Sequence, residues 1–411
     1  MSLIIQKFGG SSVADSKRIL NVANIIIKSY LEGNDTIVVV SAQGDTTDNF
    51  INMANEINPR ASKRETDMLL SAGEQISISL LAMAIERLGY PVVSLLGWQA
   101  GFLTCATYGS ARIEKINPDR IKKELDKKNI VIIAGFQGLN MYGDITTMGR
   151  GGSDTSAVAL AAVMNADKCK IFTDVEGVFT ADPRKVKNAK KLDVISYDEM
   201  LELSTLGAKV LNKRSVEVAK KHNVEVEVLS SMNDIPGTII KEVTQKDKTP
   251  ICGIAADENV ARASVINVPD KPGIAFKLFS KLAGKGINVD IILQSENGEN
   301  TKDISFTVPK TELEQTIEVL DKFIEPLEKA KIIYEKDVAK ISIVGTGMEN
   351  QVGIASKMFE ALYEERINIQ MIATSEIRVS VIVSSDEANR ALNTIHNKFF
   401  GTKDILHNNE G

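Results

Sequence analysis

Up to residue 240 the chain alternates short apolar runs with amphipathic helical patterns, and this alternation leaves few folds open. The runs at 3–8, 36–41, 91–96, 130–134, 170–173 and 225–229 have the length of buried strands. Between them, 15–31, 64–88, 118–128, 153–164 and 208–222 carry apolar residues at helical spacing. Near-continuous apolar strands separated by helices predict an α/β domain, an αβα sandwich with a mainly parallel sheet covered on both faces. In such folds ligands gather at the carboxyl ends of strands. Lys7, Gly9, Ser41, Gly135 and Asp174 all fall at such ends.

Three stretches carry chemistry, two at these strand ends and one at a helix start. Lys7-Phe8-Gly9-Gly10-Ser11-Ser12 leaves the first strand just before a helical pattern. Glycine lets backbone N–H groups approach an anion, a helix start adds partial positive charge, and the lysine adds a full one. Taken alone, the stretch reads equally well as a phosphate loop or as a strand–helix turn with a surface lysine. It lacks the Walker A spacing. A second glycine-rich stretch, Gly149-Arg150-Gly151-Gly152-Ser153-Asp154, opens the 153–164 helix and joins an arginine, free N–H groups and one carboxylate. There Asp154 also suits a helix N-terminus. The third, 172–184, leaves a strand through Gly and Pro turns with Thr173, Asp174, Asp182 and Arg184, residues able to hold ribose and phosphates or to form an ordinary polar loop.

Composition narrows the field. The net charge is −5, and short basic runs are mostly interleaved with acids, which argues against general nucleic-acid binding. Three scattered cysteines form no C-x-x-C and suit a reducing cytoplasm, and three histidines lie outside any metal-ligand spacing. No metal site is expected. The chain opens directly on a strand pattern, and no apolar run approaches the ~18 residues of a membrane span. A cytoplasmic location is expected.

Beyond a polar segment, 241–262, read as a linker, the chain repeats itself. Gly273-Ile274-Ala275-Phe276-Lys277-Leu278-Phe279 recurs as Gly353-Ile354-Ala355-Ser356-Lys357-Met358-Phe359, and Ile287-Asn288 as Ile367-Asn368. The expected organisation is a domain over 1–240 and two small units over 263–336 and 337–405, each an alternating-strand sandwich with helices on one face. Open sheet edges in tandem copies predict pairing with each other or across a dimer. A duplicated structural module without a ligand is the alternative. Asp270 and Gln294 can satisfy the charged groups of a small amino acid, and Asn288 and Asn368 occupy equivalent strand starts.

Together these motifs resemble the amino acid kinase family over essentially the whole chain, and within it the aspartate-phosphorylating branch. Lys7–Val13, Ser41–Asp48, Ser71–Glu74, Gly149–Asp154, 172–184 and 207–210 all carry the resemblance. The C-terminal repeats look like paired ACT domains, ferredoxin-like βαββαβ units, with 372–380 similar to their effector strand. The resemblance implies transfer of the ATP γ-phosphoryl group to the side-chain carboxylate of L-aspartate, giving 4-phospho-L-aspartate. That would be the first step toward lysine, threonine, methionine and diaminopimelate. It implies catalytic roles for Lys7 and Asp154. ATP would lie among Lys7, Phe8, Gly9, Gly10, Thr173, Asp174, Phe179, Asp182, Arg184, Lys209 and Val210. Aspartate would be held by Ser41, Thr47, Glu74, Arg150, Gly151, Gly152, Ser153 and Asp154. Magnesium would be held mainly by the ATP phosphates and water. An effector, L-lysine with or without L-threonine, would lie near Asp270, Gly273, Ala275, Asn288, Gln294, Asn368, Ile369, Thr374, Ser375 and Glu376. Phe179 stands where the family usually has tyrosine, which removes a hydroxyl and keeps a ring; Gln43, Val352 and Ala373 also depart from the pattern. Other readings are a kinase for glutamate, carbamate or UMP, or a non-catalytic amino-acid sensor. No nucleic-acid or membrane partner is expected, and a homo-oligomer through the ACT domains is.

Overall fold

The structure is a computed structural model that describes residues 2–208, 210–243, 250–298, 300–327, 329–348 and 351–401. It divides into two compact units, one of residues 1–179 and 190–248, the other of 180–189 and 249–411.

The first unit runs β1 (Leu3–Phe8), α1 (Ser16–Leu31), β2 (Asp35–Val40), α2 (Thr46–Ile57), α3 (Lys63–Leu70), α4 (Ala72–Arg87), β3 (Val92–Leu95), β4 (Phe102–Thr104), β5 (Ile113–Ile116), α5 (Asp119–Asp126), β6 (Ile130–Ala134), β7 (Gln137–Asn140), β8 (Ile145–Thr147), α6 (Gly152–Met164), β9 (Lys168–Thr173), β10 (Val194–Ser196), α7 (Tyr197–Thr205), α8 (Lys213–His222), β11 (Val226–Ser230) and β12 (Thr238–Lys241). Its main sheet has the order β10-β12-β11-β9-β1-β2-β6-β3. Every adjacent pair is parallel except β11 with β12. Because strand side chains alternate between faces, Phe8, Val38 and Val40 join the core beneath α1 and α4. Lys7 points to the opposite face, toward α6. The Asp15 side chain accepts from the Arg18 N–H and fixes where α1 begins.

Three differences from the sequence reading have physical causes. The pattern over 64–88 is two helices that meet at Ser71, and this puts Glu74 in the first turn of α4. The helical stretch Lys63–Arg87, 25 residues, is apolar enough to pass for a membrane span, contrary to expectation. Half of its apolar 18-residue window is buried inside the fold, so that much of its apolarity serves a core. A second, four-stranded sheet, β5-β4-β7-β8, was not anticipated. Its strands are three or four residues long with mixed polarity, too short for a period to register.

The second unit runs β13 (Gly253–Pro269), α9 (Ile274–Ala283), β14 (Ile292–Glu296), β15 (Thr301–Val308), α10 (Leu313–Ile324), β16 (Lys331–Val344), α11 (Ile354–Glu364), β17 (Met371–Ser375), β18 (Arg378–Ser384) and α12 (Ala388–Phe400). The two repeats share one six-stranded antiparallel sheet, β14-β15-β13-β16-β18-β17. Strand β13 begins inside the segment read as a linker. Its start, with Ile254, belongs to the core of the second repeat, and its later part, Ala261 to Val268, to that of the first. The stretch Thr180–Ala189 is part of this unit and places Ala181 and Val186 in the same core as Ile254. Thr180 is anchored twice: its carbonyl accepts from the Ile254 N–H at 2.8 Å, and its hydroxyl lies 2.9 Å from His396 Nε2.

Candidate functional site

Strand β1 lies between β9 and β2, where the order of strands reverses and a crevice opens at the carboxyl ends. Lys7 sits at this point and is only 8 % exposed. Burying an ammonium is costly unless it is paired, and its Nζ lies 2.6 Å from Asp154 Oδ1 in the first turn of α6. Three backbone bonds fasten the glycine loop after Lys7. Gly9 N–H donates to the Phe172 carbonyl (3.1 Å), Ser41 N–H to Phe8 (3.1 Å) and Gly44 N–H to Gly10 (3.0 Å). A Cβ on Gly10 would come 2.5 Å from the Ala42 carbonyl oxygen, so only glycine lets the two loops close.

The start of α6 is brought in by the same device. Gly149 and Gly151 adopt left-handed φ angles of 75° and 70°. A Cβ on Gly135, at the end of β6, would meet Ser153 Cβ at 2.7 Å. The buried first turn, Gly152, Ser153 and Asp154, is thereby pressed against the strand ends. Arg150 is different: its side chain is 92 % exposed, and its guanidinium is 3.5 Å from Asp48 Oδ1 at the start of α2. Thr47 beside it is half-buried.

Glu74 is 3 % exposed. Its Oε1 accepts from the Ala42 N–H at 3.0 Å, next to Ser41, while Oε2 is buried without a hydrogen-bond partner among the described residues. Burial pushes its pKa up to about 7, against the pull of the Ala42 N–H. A buried carboxylate oxygen left unsatisfied is a ready acceptor for a cationic group of a ligand.

At the end of β9, Thr173 Oγ1 accepts from the Val175 N–H (2.9 Å), and Asp174 is exposed. The Ser231 N–H donates to the Thr173 carbonyl (3.0 Å), and its hydroxyl lies 2.7 Å from that of Ser12, tying the first glycine loop to this strand end. Phe179 is half-buried and bridges to Lys191. Asp182 and Arg184 belong to the second unit. Arg184 grips Asp182 bidentately at 2.9 and 2.8 Å, and this holds the Asp182 carboxyl below its usual range. Val210 is half-buried, and Lys209 lies outside the described residues.

The expected effector residues are not brought together within one chain. Gln294 is on β14 and Thr374 and Ser375 on β17, the two opposite edges of the six-stranded sheet. Asp270 pairs with Lys302 at 2.9 Å, and the Asn288 N–H donates to Glu312 at 3.0 Å. Gly273 starts α9, with Ala275 in its first turn; Asn368, Ile369 and Glu376 flank β17.

Three residues were missed. Asp48 was legible, since it ends the quoted Ser41–Asp48 motif. Asp67, 1 % exposed, accepts from Gly109 N–H and from both the N–H and hydroxyl of Thr147, at 2.7–3.1 Å. It holds the strand that leads into Gly149. Asn212 donates to the Arg150 carbonyl at 3.0 Å. Nothing local in the sequence marks the last two, because their partners are remote in the chain. Among the described residues no group of three or more His, Cys, Asp or Glu is placed to ligate a metal.

A family model described as the amino acid kinase family matches residues 2–230, and one for the ACT domain matches 264–323 and 341–399. The chain is 48 % identical over 400 residues to an aspartokinase of Bacillus sp. (strain MGA3), covering 97 % of each. It is 47 % identical over 400 residues to aspartokinase 2 of Bacillus subtilis (strain 168), covering 97 % of this chain and 98 % of the other. Its fold is similar to that of Escherichia coli aspartokinase III in complex with aspartate and ADP, with TM-score 0.82, 24 % identity, and 97 % and 100 % of the two chains covered. The same protein with lysine and aspartate gives TM-score 0.74 at 24 % identity, covering 97 % and 99 %.

Proposed function

The chain belongs to the aspartokinases of the amino acid kinase family, ATP-dependent kinases of the aspartate carboxyl group with C-terminal ACT domains, and from that premise we propose how its residues divide the work. The aspartate side-chain carboxylate, of ordinary pKa ~4, is ionised at neutral pH and needs no general base. One of its oxygens forms a bond to the γ-phosphorus as the bond from that phosphorus to the ADP oxygen breaks. What remains for the protein is alignment and charge stabilisation.

Lys7 neutralises charge on the transferred phosphoryl group with the Gly10 N–H beside it, the Gly9 N–H being taken by the Phe172 carbonyl instead, and Asp154 orients Lys7. The observation that carries this reading is the buried Lys7–Asp154 pair at 2.6 Å, at the strand end where the α6 N-terminus also points. Arg150 grips the α-carboxylate bidentately, Glu74 receives the ammonium on its unsatisfied oxygen, and Thr47 and Ser41 position the carboxylates. Thr173, Asp174, Phe179, Asp182, Arg184, Lys209 and Val210 surround the nucleotide. Magnesium would be held mainly by the ATP phosphates and water and would offset the phosphate charge.

The ACT unit confers feedback inhibition by L-lysine, alone or with L-threonine, in the cytoplasmic synthesis of lysine, threonine, methionine and diaminopimelate. One feature supports regulation: the half-sites on β14 and β17 lie on open edges, and a second copy would complete them. Lysine is bound by the E. coli relative. The test is ATP- and aspartate-dependent hydroxamate formation in hydroxylamine, repeated with lysine, threonine and both. Aspartate should give hydroxamate where glutamate does not, and millimolar lysine should suppress it. Activity and melting temperature indifferent to both amino acids would remove the regulatory reading, and binding without turnover would make the chain a sensor.

A further inference from the structure

Helix α2, which carries Thr47 in its first turn, is held with little packing. None of its residues is buried, Met53 and Ile57 on it are exposed, and the Asp45 side chain at its N-cap makes no capping bond. A helix that buries no side chain takes little of its place from hydrophobic contact. Its first turn is tied down through Gln43, a residue marked in the sequence only as a departure from the family pattern. The Gln43 carbonyl accepts from both the N–H (2.9 Å) and the hydroxyl (2.6 Å) of Thr46. The next N–H, that of Gly44, donates to the Gly10 carbonyl at 3.0 Å. The peptide joining Gln43 to Gly44 therefore serves α2 with its carbonyl and the glycine loop after Lys7 with its N–H. The Gln43 side chain adds a second attachment to that loop: Nε2 donates to the carbonyl of Val13 at 2.9 Å. Val13 is fully buried and ends the turn Gly10–Val13. The loop is thus gripped at both ends of one turn. Two attachments fix an orientation where one leaves a swivel.

We propose that Gln43 is a positioning residue for the phosphoryl acceptor. It sets the start of α2, and with it Thr47, in register with the loop that follows Lys7, so that the aspartate carboxylate is presented in line with the phosphoryl group. A reacting pair tolerates little misplacement, and α2 has no packed face of its own to supply the alignment. This rests on the reading of Thr47 as a contact to an aspartate carboxylate.

Gln43→Met keeps the length of the side chain and removes its donor. In steady-state assays of the full-length variant, KM for aspartate should rise about tenfold, the equivalent of one lost hydrogen bond, while KM for ATP holds within about twofold. The melting temperature falls whether or not the residue positions anything, because the buried Val13 carbonyl loses its donor, so stability does not discriminate. A double-mutant cycle with Thr47→Val does. If Gln43 acts through Thr47, the double variant should have the KM for aspartate of Thr47→Val alone, within about twofold. A merely structural role would leave KM for aspartate in Gln43→Met within about twofold of the parent, and that result overturns the proposal. So do increases that multiply in the double variant, or a KM for ATP that rises in step with that for aspartate. In those cases a raised KM in Thr47→Val leaves the Thr47 reading standing. If Thr47→Val instead matches the parent, that reading fails and the proposal falls with it. Should Gln43→Met not fold, Gln43→Asn takes its place with the same outcomes, since its amide is one methylene too short for the Val13 carbonyl.

Discussion

Lys7→Ala is expected to lower kcat by about 10² or more, the usual cost of removing one transition-state charge contact. In the proposed arrangement other groups hold the substrate carboxylates, so KM for aspartate should change far less. The variant has a second consequence. Asp154 is 9 % exposed, and without Lys7 it is left as a buried charge, at a cost of about 3–5 kcal/mol. A drop in melting temperature would then confound the kinetics. The double variant Lys7→Met, Asp154→Asn removes both charges at nearly constant volume and should recover the lost stability without recovering turnover. Near-normal kcat in the folded double variant would sink the role given to Lys7.

Glu74→Gln is expected to lower kcat/KM for aspartate by on the order of 10², since a buried partner of the ammonium loses its charge. Glutamine keeps the oxygen that accepts from the Ala42 N–H, so the change is confined to charge. The pH dependence gives an independent reading. With its pKa near 7 instead of the ordinary 4.5, Glu74 in the free protein holds a proton that the unfolded chain has already released. Its contribution to stability is therefore greatest below pH 4.5 and is lost as pH rises through about 7. Substrate binding runs the opposite way, because only the ionised carboxylate attracts the ammonium. In the parent, kcat/KM for aspartate should climb through pH 7, and Glu74→Gln should flatten that limb. The substrate-free variant should also resist denaturant better than the parent at pH 8, where the parent buries a charge. A parent profile that is level between pH 6 and 8 would overturn the pairing of Glu74 with the ammonium.

The parallel sheet was readable because its strands are buried on both faces and so appear as unbroken apolar runs, such as Ile130–Ala134, every residue of which is buried. The helix starting at Gly152 was readable because a glycine cluster and an acidic residue in the first turn are local signals. Helix α8 was read from 208 but begins at Lys213. Its start depends on Asn212, a cap whose other bond goes to Arg150, and the sequence around 208 does not show that bond. The small sheet of β4, β5, β7 and β8 was missed because strands of three or four residues carry no period.

Sequence alone determined the classes of element and the duplication of the C-terminal module, and it marked the candidate reacting groups, since each is written in local spacing: a lysine and glycines at a strand end, an arginine among glycines at a helix start. Tertiary structure decided how those groups are charged and held. Lys7 and Asp154 form one buried pair only because β1 and α6 meet across the sheet face. Glu74 titrates near neutrality only because the fold excludes water from α4's first turn. The two repeats share one sheet, and the residues 180–189 belong to the second unit. Hydrogen-bond partners remote in the chain and dielectric surroundings are properties of packing, and no periodicity in the chain encodes them.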